Sequence, residues 1–185
     1  MSALIVNNII SFLPQELLPH IGSKIGDGVD GEVFSFNSDK IIKISKVDND
    51  NKLEFDKVLT YLKLNVLYPY ARVYMFGYLE IINYSYYISE KLNPLTEDEW
   101  KVFHSIVSHE DRNIVKNFDE EKVKQILFGL SRGLDFDAER VTFFCAGLKS
   151  APVIHKDMHP RNILKNENGD FKMIDFNRCY LKIVP

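Results

Sequence analysis

Apolar positions change their period several times along this chain, and each change marks a predicted element. Residues 9–20 place Ile, Phe and Leu on one face at helical spacing, with Pro14 near the first turn, and predict a short helix. The period then falls to two. Val33-Phe34-Ser35-Phe36 alternates as a strand, Asn37-Ser38-Asp39 reads as a turn, and Lys40 to Ile44 follows as another strand. After the polar run 46–52, Leu53, Val58, Leu59, Leu62 and Leu64 return to helical spacing. Segments 73–79 and 84–89 are rich in Val, Ile, Tyr and Phe, and complete a predicted five-stranded antiparallel sheet.

Glu90-Lys91-Leu92-Asn93-Pro94 breaks the strand pattern, and from Thr96 the chain reads as helix. Thr96-Glu97-Asp98-Glu99 is a capping box ahead of the stripe Trp100, Phe103, Ile106 and Val107. A second helix is expected from about Asp119 to Arg132, stopped by Gly133, and a third over about 138–149. Short apolar runs then flank a polar loop: Val153-Ile154 before it, Ile163-Leu164 after it. The turn 166–170 leads into a return strand, Phe171 to Ile174.

Bulk properties narrow the classes. The 185 residues suffice for one generous domain or two small lobes with a substantial core, and 45% hydrophobic with 26% charged residues is a globular composition. A formal net charge of −3 gives no support for binding nucleic acid through bulk electrostatics. Cys145 and Cys179 lie at neither zinc nor disulfide-framework spacing and read as reduced thiols. The N-terminal stretch to Leu18 lacks a basic flank and is interrupted by Asn7, Asn8 and Pro14. It is read as neither signal peptide nor membrane span, so a cytoplasmic protein without membrane contact is expected.

Three places carry chemistry. The first is Ile25-Gly26-Asp27-Gly28-Val29-Asp30-Gly31-Glu32-Val33, a G-x-G-x-x-G-x-V pattern. Its glycines let a hairpin bring backbone N–H groups close to phosphates, although a purely structural hairpin has the same composition. A strand rather than a helix follows, which disfavours a dinucleotide fold. Lys43, in Ile41-Ile42-Lys43-Ile44, is either an edge residue reaching solvent or a buried cation with a task. The second place is the helix from Leu53, where Glu54 is the candidate partner for Lys43 and Asp56 its competitor. The third is His155-Lys156-Asp157-Met158-His159-Pro160-Arg161-Asn162, followed by Lys172-Met173-Ile174-Asp175-Phe176. Two carboxylates and an amide at strand ends could converge on a divalent cation and an acceptor hydroxyl.

In order and spacing these motifs resemble the protein-kinase-like superfamily from Gly26 to Phe176. The resemblance implies an α+β, bilobal kinase-like fold. Residues 1–92 would form an N-lobe of five antiparallel strands and one helix, and 93–185 a reduced, mainly helical C-lobe. It further implies that Gly26, Gly28 and Gly31 cover the ATP phosphates with Val33 beside them. Lys43, held by Glu54, would pair the α- and β-phosphates. Backbone groups of Glu90 and Leu92 would read the adenine edge, with Ser89 as gatekeeper. Asp157 would orient and deprotonate the acceptor, Asn162 and Asp175 would hold magnesium, and His155 would brace the loop from beneath. ATP and Mg are the implied cofactors.

This chain departs from the common pattern in ways that bear on function. Asn177 stands where most kinases have Gly, and Asp27, Asp30 and Glu32 make the glycine loop acidic. The D-x-H-P-x-N form given by His159 is similar to aminoglycoside and choline phosphotransferases and to some atypical kinases. Ten residues follow Asp175 in this sequence, without an activation segment or later helices. Apolar faces around 119–149 are therefore expected to repack, or to be covered by a partner or a second copy. The first reading is a phosphotransferase moving the ATP γ-phosphate to a hydroxyl, on an unidentified protein. The alternatives are a pseudokinase-type binding module without transfer, and a small-molecule kinase.

Overall fold

In the computed structural model, residues 9–28, 31–47, 50–108 and 119–182 are described. The architecture is α+β. Nine strands, β1 (Ile21–Gly28), β2 (Gly31–Phe36), β3 (Lys40–Lys46), β4 (Val73–Leu79), β5 (Tyr84–Glu90), β6 (Val153–His155), β7 (Ile163–Lys165), β8 (Phe171–Met173) and β9 (Cys179–Leu181), accompany four helices among these residues. The helices are α1 (Lys52–Leu64), α2 (Glu97–Ser108), α3 (Glu120–Leu130) and α4 (Ala138–Ser150). Contacts divide the chain into two compact units, Met1–Asn49 with Val73–Lys91, and Asp50–Arg72 with Leu92–Pro185.

The first unit is the predicted five-stranded antiparallel sheet, in the order β1-β2-β3-β5-β4. Alternation sorts its faces, because successive strand residues point to opposite sides. Phe34, Phe36, Ile42, Ile44, Tyr86 and Ile88 share one face and bury themselves with Leu13, Leu17 and Leu79. Val33, Lys43 and Tyr87, directly paired across β2, β3 and β5, share the other. The helix expected over 9–20 does not continue past its start: residues 9–10 are helical, 11–17 run through turns and a bend, and a 3-10 turn covers Leu18–His20. Pro14 and Pro19 lack the N–H groups that a continuous helix would use. The apolar face was nevertheless a true signal, since Leu13 and Leu17 are 4% and 6% exposed.

The second unit is built around Phe103, Phe144 and Phe171, which meet edge to face with ring centroids 4.9–6.0 Å apart and are essentially inaccessible. The three expected C-terminal helices appear as α2, α3 and α4. Asp119 caps α3 by accepting from the Glu121 and Lys122 N–H groups, and Asp137 caps α4 by accepting from Arg140 N–H. The capping box on α2 forms as predicted: Thr96 N–H donates to Glu99 Oε2 at 2.7 Å, and Glu99 N–H to Thr96 Oγ1 at 3.2 Å. The helix carrying Glu54, expected with the sheet, groups with this unit instead. Phe55, Val58, Leu59 and Leu62 form its buried face, and it packs on β9 and the 3-10 turn Phe176–Arg178. The following segment is tied to β8, where Met173 N–H donates to Pro69 O and Ala71 N–H to Met173 O.

Phe128 on α3 and Phe143 on α4 are 69% and 64% exposed and line a groove of about 600 Å³ between those helices. No helix among the described residues is long and apolar enough to cross a membrane.

The glycines of the hairpin differ in why they are glycine. A Cβ on Gly31 would lie 2.8 Å from Ser45 Cα and closer still to the Ile44 carbonyl, both backbone atoms of β3. One on Gly26 would meet only Val33 Cβ, at 3.9 Å. Gly31→Ala should therefore destabilise the protein by about 1–3 kcal/mol through forced strand separation, whereas Gly26→Ala should leave stability nearly unchanged. Urea denaturation of the two variants checks this, and equal effects would contradict it.

Candidate active site

In the first unit, the strand register gathers the residues expected to handle phosphate. Gly26 pairs with Val33 across β1 and β2, Val33 with Lys43 across β2 and β3, and Gly28 with Gly31 at the turn. Gly26, Val33 and Lys43 thus form one row. At about 4.8 Å per strand spacing, the Lys43 backbone stands about 10 Å from that of Gly26. Lys43 is half-buried, between fully buried Ile42 and Ile44 of the opposite face. The loop tip, Val29 and Asp30, lies outside the described residues. Ser89 is buried, and Glu90 ends β5 opposite Lys40 rather than breaking the strand as expected. The next N–H, that of Lys91, donates to Asp39 O.

The second unit holds the other expected residues. Leu92 precedes Asn93, which exchanges two backbone hydrogen bonds with Lys165 of β7, at 2.7 and 2.8 Å. Lys165 Nζ in turn reaches both carboxylate oxygens of Glu99, at 2.7–2.8 Å. Burial alone would raise the Glu99 pKa. The bonds from Lys165 and Thr96 outweigh it and hold the carboxyl below its usual value. Glu54 lies on α1 with its carboxylate 42% exposed and bonded to Lys57 Nζ at 2.7 Å, one turn along its own helix.

The loop of Asp157 is braced from within. Val153-Ile154-His155 pairs with β9, not with β7, and β7 pairs with β8. His155 is 5% exposed. Asp157 N–H donates to His155 Nδ1 at 3.1 Å, which makes Nδ1 the acceptor and leaves Nε2–H to donate to Ile174 O at 2.9 Å. One imidazole therefore joins the backbone of Asp157 to the residue before Asp175. Asn162 adds two further links: its Nδ2 donates to Asp157 O at 2.9 Å, and its O accepts from Ile174 N–H at 2.9 Å. His159 caps the intervening 3-10 turn, its Nδ1 accepting from Arg161 N–H. Asp157, Asn162 and Asp175 are thus brought into one hydrogen-bonded frame.

Asp175 has φ 63° and ψ 76°, a left-handed conformation that a non-glycine residue adopts at a cost of order 1–3 kcal/mol. Among the described residues, the other positive-φ residues with side chains are Asn37 and Asn83. Both fall at turns between strands, where Asn is tolerated. Asp175 is not in such a turn; it is fixed by buried Phe176 after it and the His155 bond to Ile174 before it.

The donor set suits a hard divalent cation. Asn162 uses its Nδ2 on Asp157 O, which orients the amide and leaves Oδ1 as its acceptor oxygen. With the Asp175 carboxylate it offers two hard oxygens. Among the described residues no three His, Cys, Asp or Glu groups cluster as a metal cage. Magnesium is commonly held by one or two protein oxygens, with waters and substrate phosphates completing its shell.

No protein-family model matches the chain. It is 35% identical over 68 residues to the mitogen-activated protein kinase mpkC of Aspergillus clavatus, which covers 37% of this chain and 15% of that protein. It is 34% identical over 65 residues to cyclin-dependent kinase 14 of Oryctolagus cuniculus and of Dasypus novemcinctus, covering 35% of this chain and 12% of each. Part of the chain is thus similar in sequence to protein kinases, and the chain spans less than a sixth of their length.

Sequence reading missed Lys24 and β9. Lys24 Nζ bonds Glu32 Oε1 at 2.9 Å and lies 3.6 Å from Asp27 Oδ2. The signal available was the excess of acid in the glycine loop, which called for a nearby cation. The β9 strand, three residues long, gives no periodicity to detect.

The His155 bridge predicts a pH dependence. Burial pushes the His155 pKa below its ordinary value, against weaker opposing effects from its Ile174 and Asp175 neighbours. The unfolded chain then binds the proton more readily than the folded one. This contribution to stability is present above the unfolded pKa of about 6.5 and is lost as pH falls through the lower folded value. Urea midpoints should fall for wild type between about pH 7 and 5.5, and His155→Gln should be less stable at pH 7 but flatter across that window. Parallel curves would contradict it.

Proposed function

We propose that the chain is a kinase-like phosphotransferase that uses ATP and magnesium to move the γ-phosphate to a hydroxyl on a protein. The observation that carries this reading is the frame in which His155 and Asn162 join Asp157 to the strand ending in Asp175. Phosphoryl transfer depends mainly on positioning and charge neutralisation, and that frame holds together the residues that would serve as base and as metal ligands. Magnesium, when bound, would neutralise charge on the phosphates. Asn162 and Asp175 would hold it, Asp157 would orient the acceptor hydroxyl and take its proton, and Lys43 would grip the α- and β-phosphates. Gly26, Gly28 and Gly31 would present backbone N–H groups, Val33 would flank the base, and Glu90 and Leu92 would offer backbone groups to the adenine edge. Similarity to protein kinases over about a third of the chain supports the same class.

The role of Glu54 changes under this reading. Its bond to Lys57 means that pairing with Lys43 would require giving up a local partner.

Phosphoproteomes of cells producing wild type or Asp157→Ala test the transfer step. Loss of the base should lower phosphorylation of the direct acceptors about a hundredfold or more. Equal phosphoproteomes, together with magnesium-dependent stabilisation of both proteins by ATP, would instead indicate a binding module without transfer. Lys43→Ala should weaken that ATP-dependent thermal shift, and an unchanged shift would remove Lys43 from the nucleotide site.

A further inference from the structure

The glycine hairpin presents an electrostatic contradiction. Asp27 and Glu32 stand directly opposite each other across β1 and β2. Like charges so placed destabilise a strand pair, and their field works against a nearby polyphosphate. Glu32 is also poorly solvated on one side, since its Oε2 is buried without a hydrogen-bond partner. Among the described residues this carboxylate bonds through Oε1 to Lys24 Nζ, at 2.9 Å, and the same ammonium lies 3.6 Å from Asp27. The Glu32 bond, outweighing the opposing effect of burial, holds the Lys24 pKa above its usual value, so the cation stays charged.

We propose that Lys24 is a positioning residue for nucleotide phosphates: by clamping Asp27 and Glu32 it removes the charge that would otherwise repel a polyphosphate from the Gly26, Gly28 and Gly31 backbone. The inference rests on the nucleotide-binding reading above and names what makes that hairpin selective for a charged ligand. It assigns to β1 a cation distinct from Lys43, which lies two strands away and is the phosphate-gripping candidate. Lys24, Asp27 and Glu32 share the sheet face of Phe34 and Ile44, opposite Val33 and Lys43, so Lys24 acts on the ligand through the field of the two carboxylates and does not touch it.

Titration calorimetry of the full chain with Mg·ATP and with adenosine, at about 0.15 M salt, separates this role from simple support of the hairpin. Lys24→Met should weaken Mg·ATP binding about fivefold while leaving adenosine, which carries no phosphate, within about twofold. Lys24→Arg should retain wild-type affinity, and adding Glu32→Gln to Lys24→Met should recover most of the loss. At 1 M salt, where screening acts within about 3 Å, the ATP-specific difference should shrink. Unchanged ATP affinity in Lys24→Met would overturn the proposal, and so would equal loss of ATP and adenosine. If wild type binds neither ligand, the nucleotide reading itself falls and takes this inference with it; binding by wild type that Lys24→Met leaves intact rejects only the inference.

Discussion

A neutral, buried imidazole is the constraint on which the candidate active site depends. His155 accepts from Asp157 N–H and donates to Ile174 O, so both ring nitrogens are satisfied only when the loop and the strand before Asp175 are in place together. Leaving either partner unmade would bury an unsatisfied polar group, at a cost of about 1–3 kcal/mol. The β6–β9 pairing and the insertion of Phe176 hold the two sides at the spacing that the ring requires. The left-handed backbone at Asp175 is sustained by this surrounding structure, as strained residues at functional sites commonly are.

The electrostatics follow a related logic. A chain with net charge −3 whose glycine loop is itself acidic has little long-range attraction for a polyphosphate. Under the proposed function its cations would therefore have to act locally. Lys43 sits in the row with Gly26 and Val33, and Lys24 is spent on the carboxylates beside the same glycines. In the second unit, Lys165 joins Glu99 of α2 to the backbone at Asn93, a structural use of charge that leaves Asp157 and Asp175 as the carboxylates of the loop frame.

Much of the architecture was legible because burial has a period. Ile42, Ile44, Phe34 and Phe36 alternate with residues of the opposite face, and the sheet follows from them. The capping box at Thr96 announced α2 by short-range chemistry, whereas α3 and α4 were announced by their apolar stripes, and the structure adds their caps at Asp119 and Asp137. What was not legible depends on partners distant in sequence. The stripe on α1 says that Phe55, Val58, Leu59 and Leu62 are buried but not against what, and the answer, β9, lies more than a hundred residues away. The same stripe logic misled at 9–20, where Leu13 and Leu17 are buried by a chain of turns instead of a helix. At the candidate site, the spacing of Asp157, Asn162 and Asp175 was visible, and so was the bracing role of His155. The local bond between Glu54 and Lys57 was not, because i,i+3 pairs are frequent on helices and carry little information about tertiary partners.

Under the proposed function, Asn162 and Asp175 would hold the metal of a metal–nucleotide complex. Manganese, a hard-oxygen-binding ion that broadens nearby nuclear resonances, tests it directly. In amide spectra of the full chain, substoichiometric Mn·ATP should broaden Asn162, Asp175 and their immediate neighbours first, and excess Mg·ATP should reverse the effect. Broadening that begins instead at exposed carboxylates such as Glu120 and Glu121, or that is the same without ATP, would contradict the account.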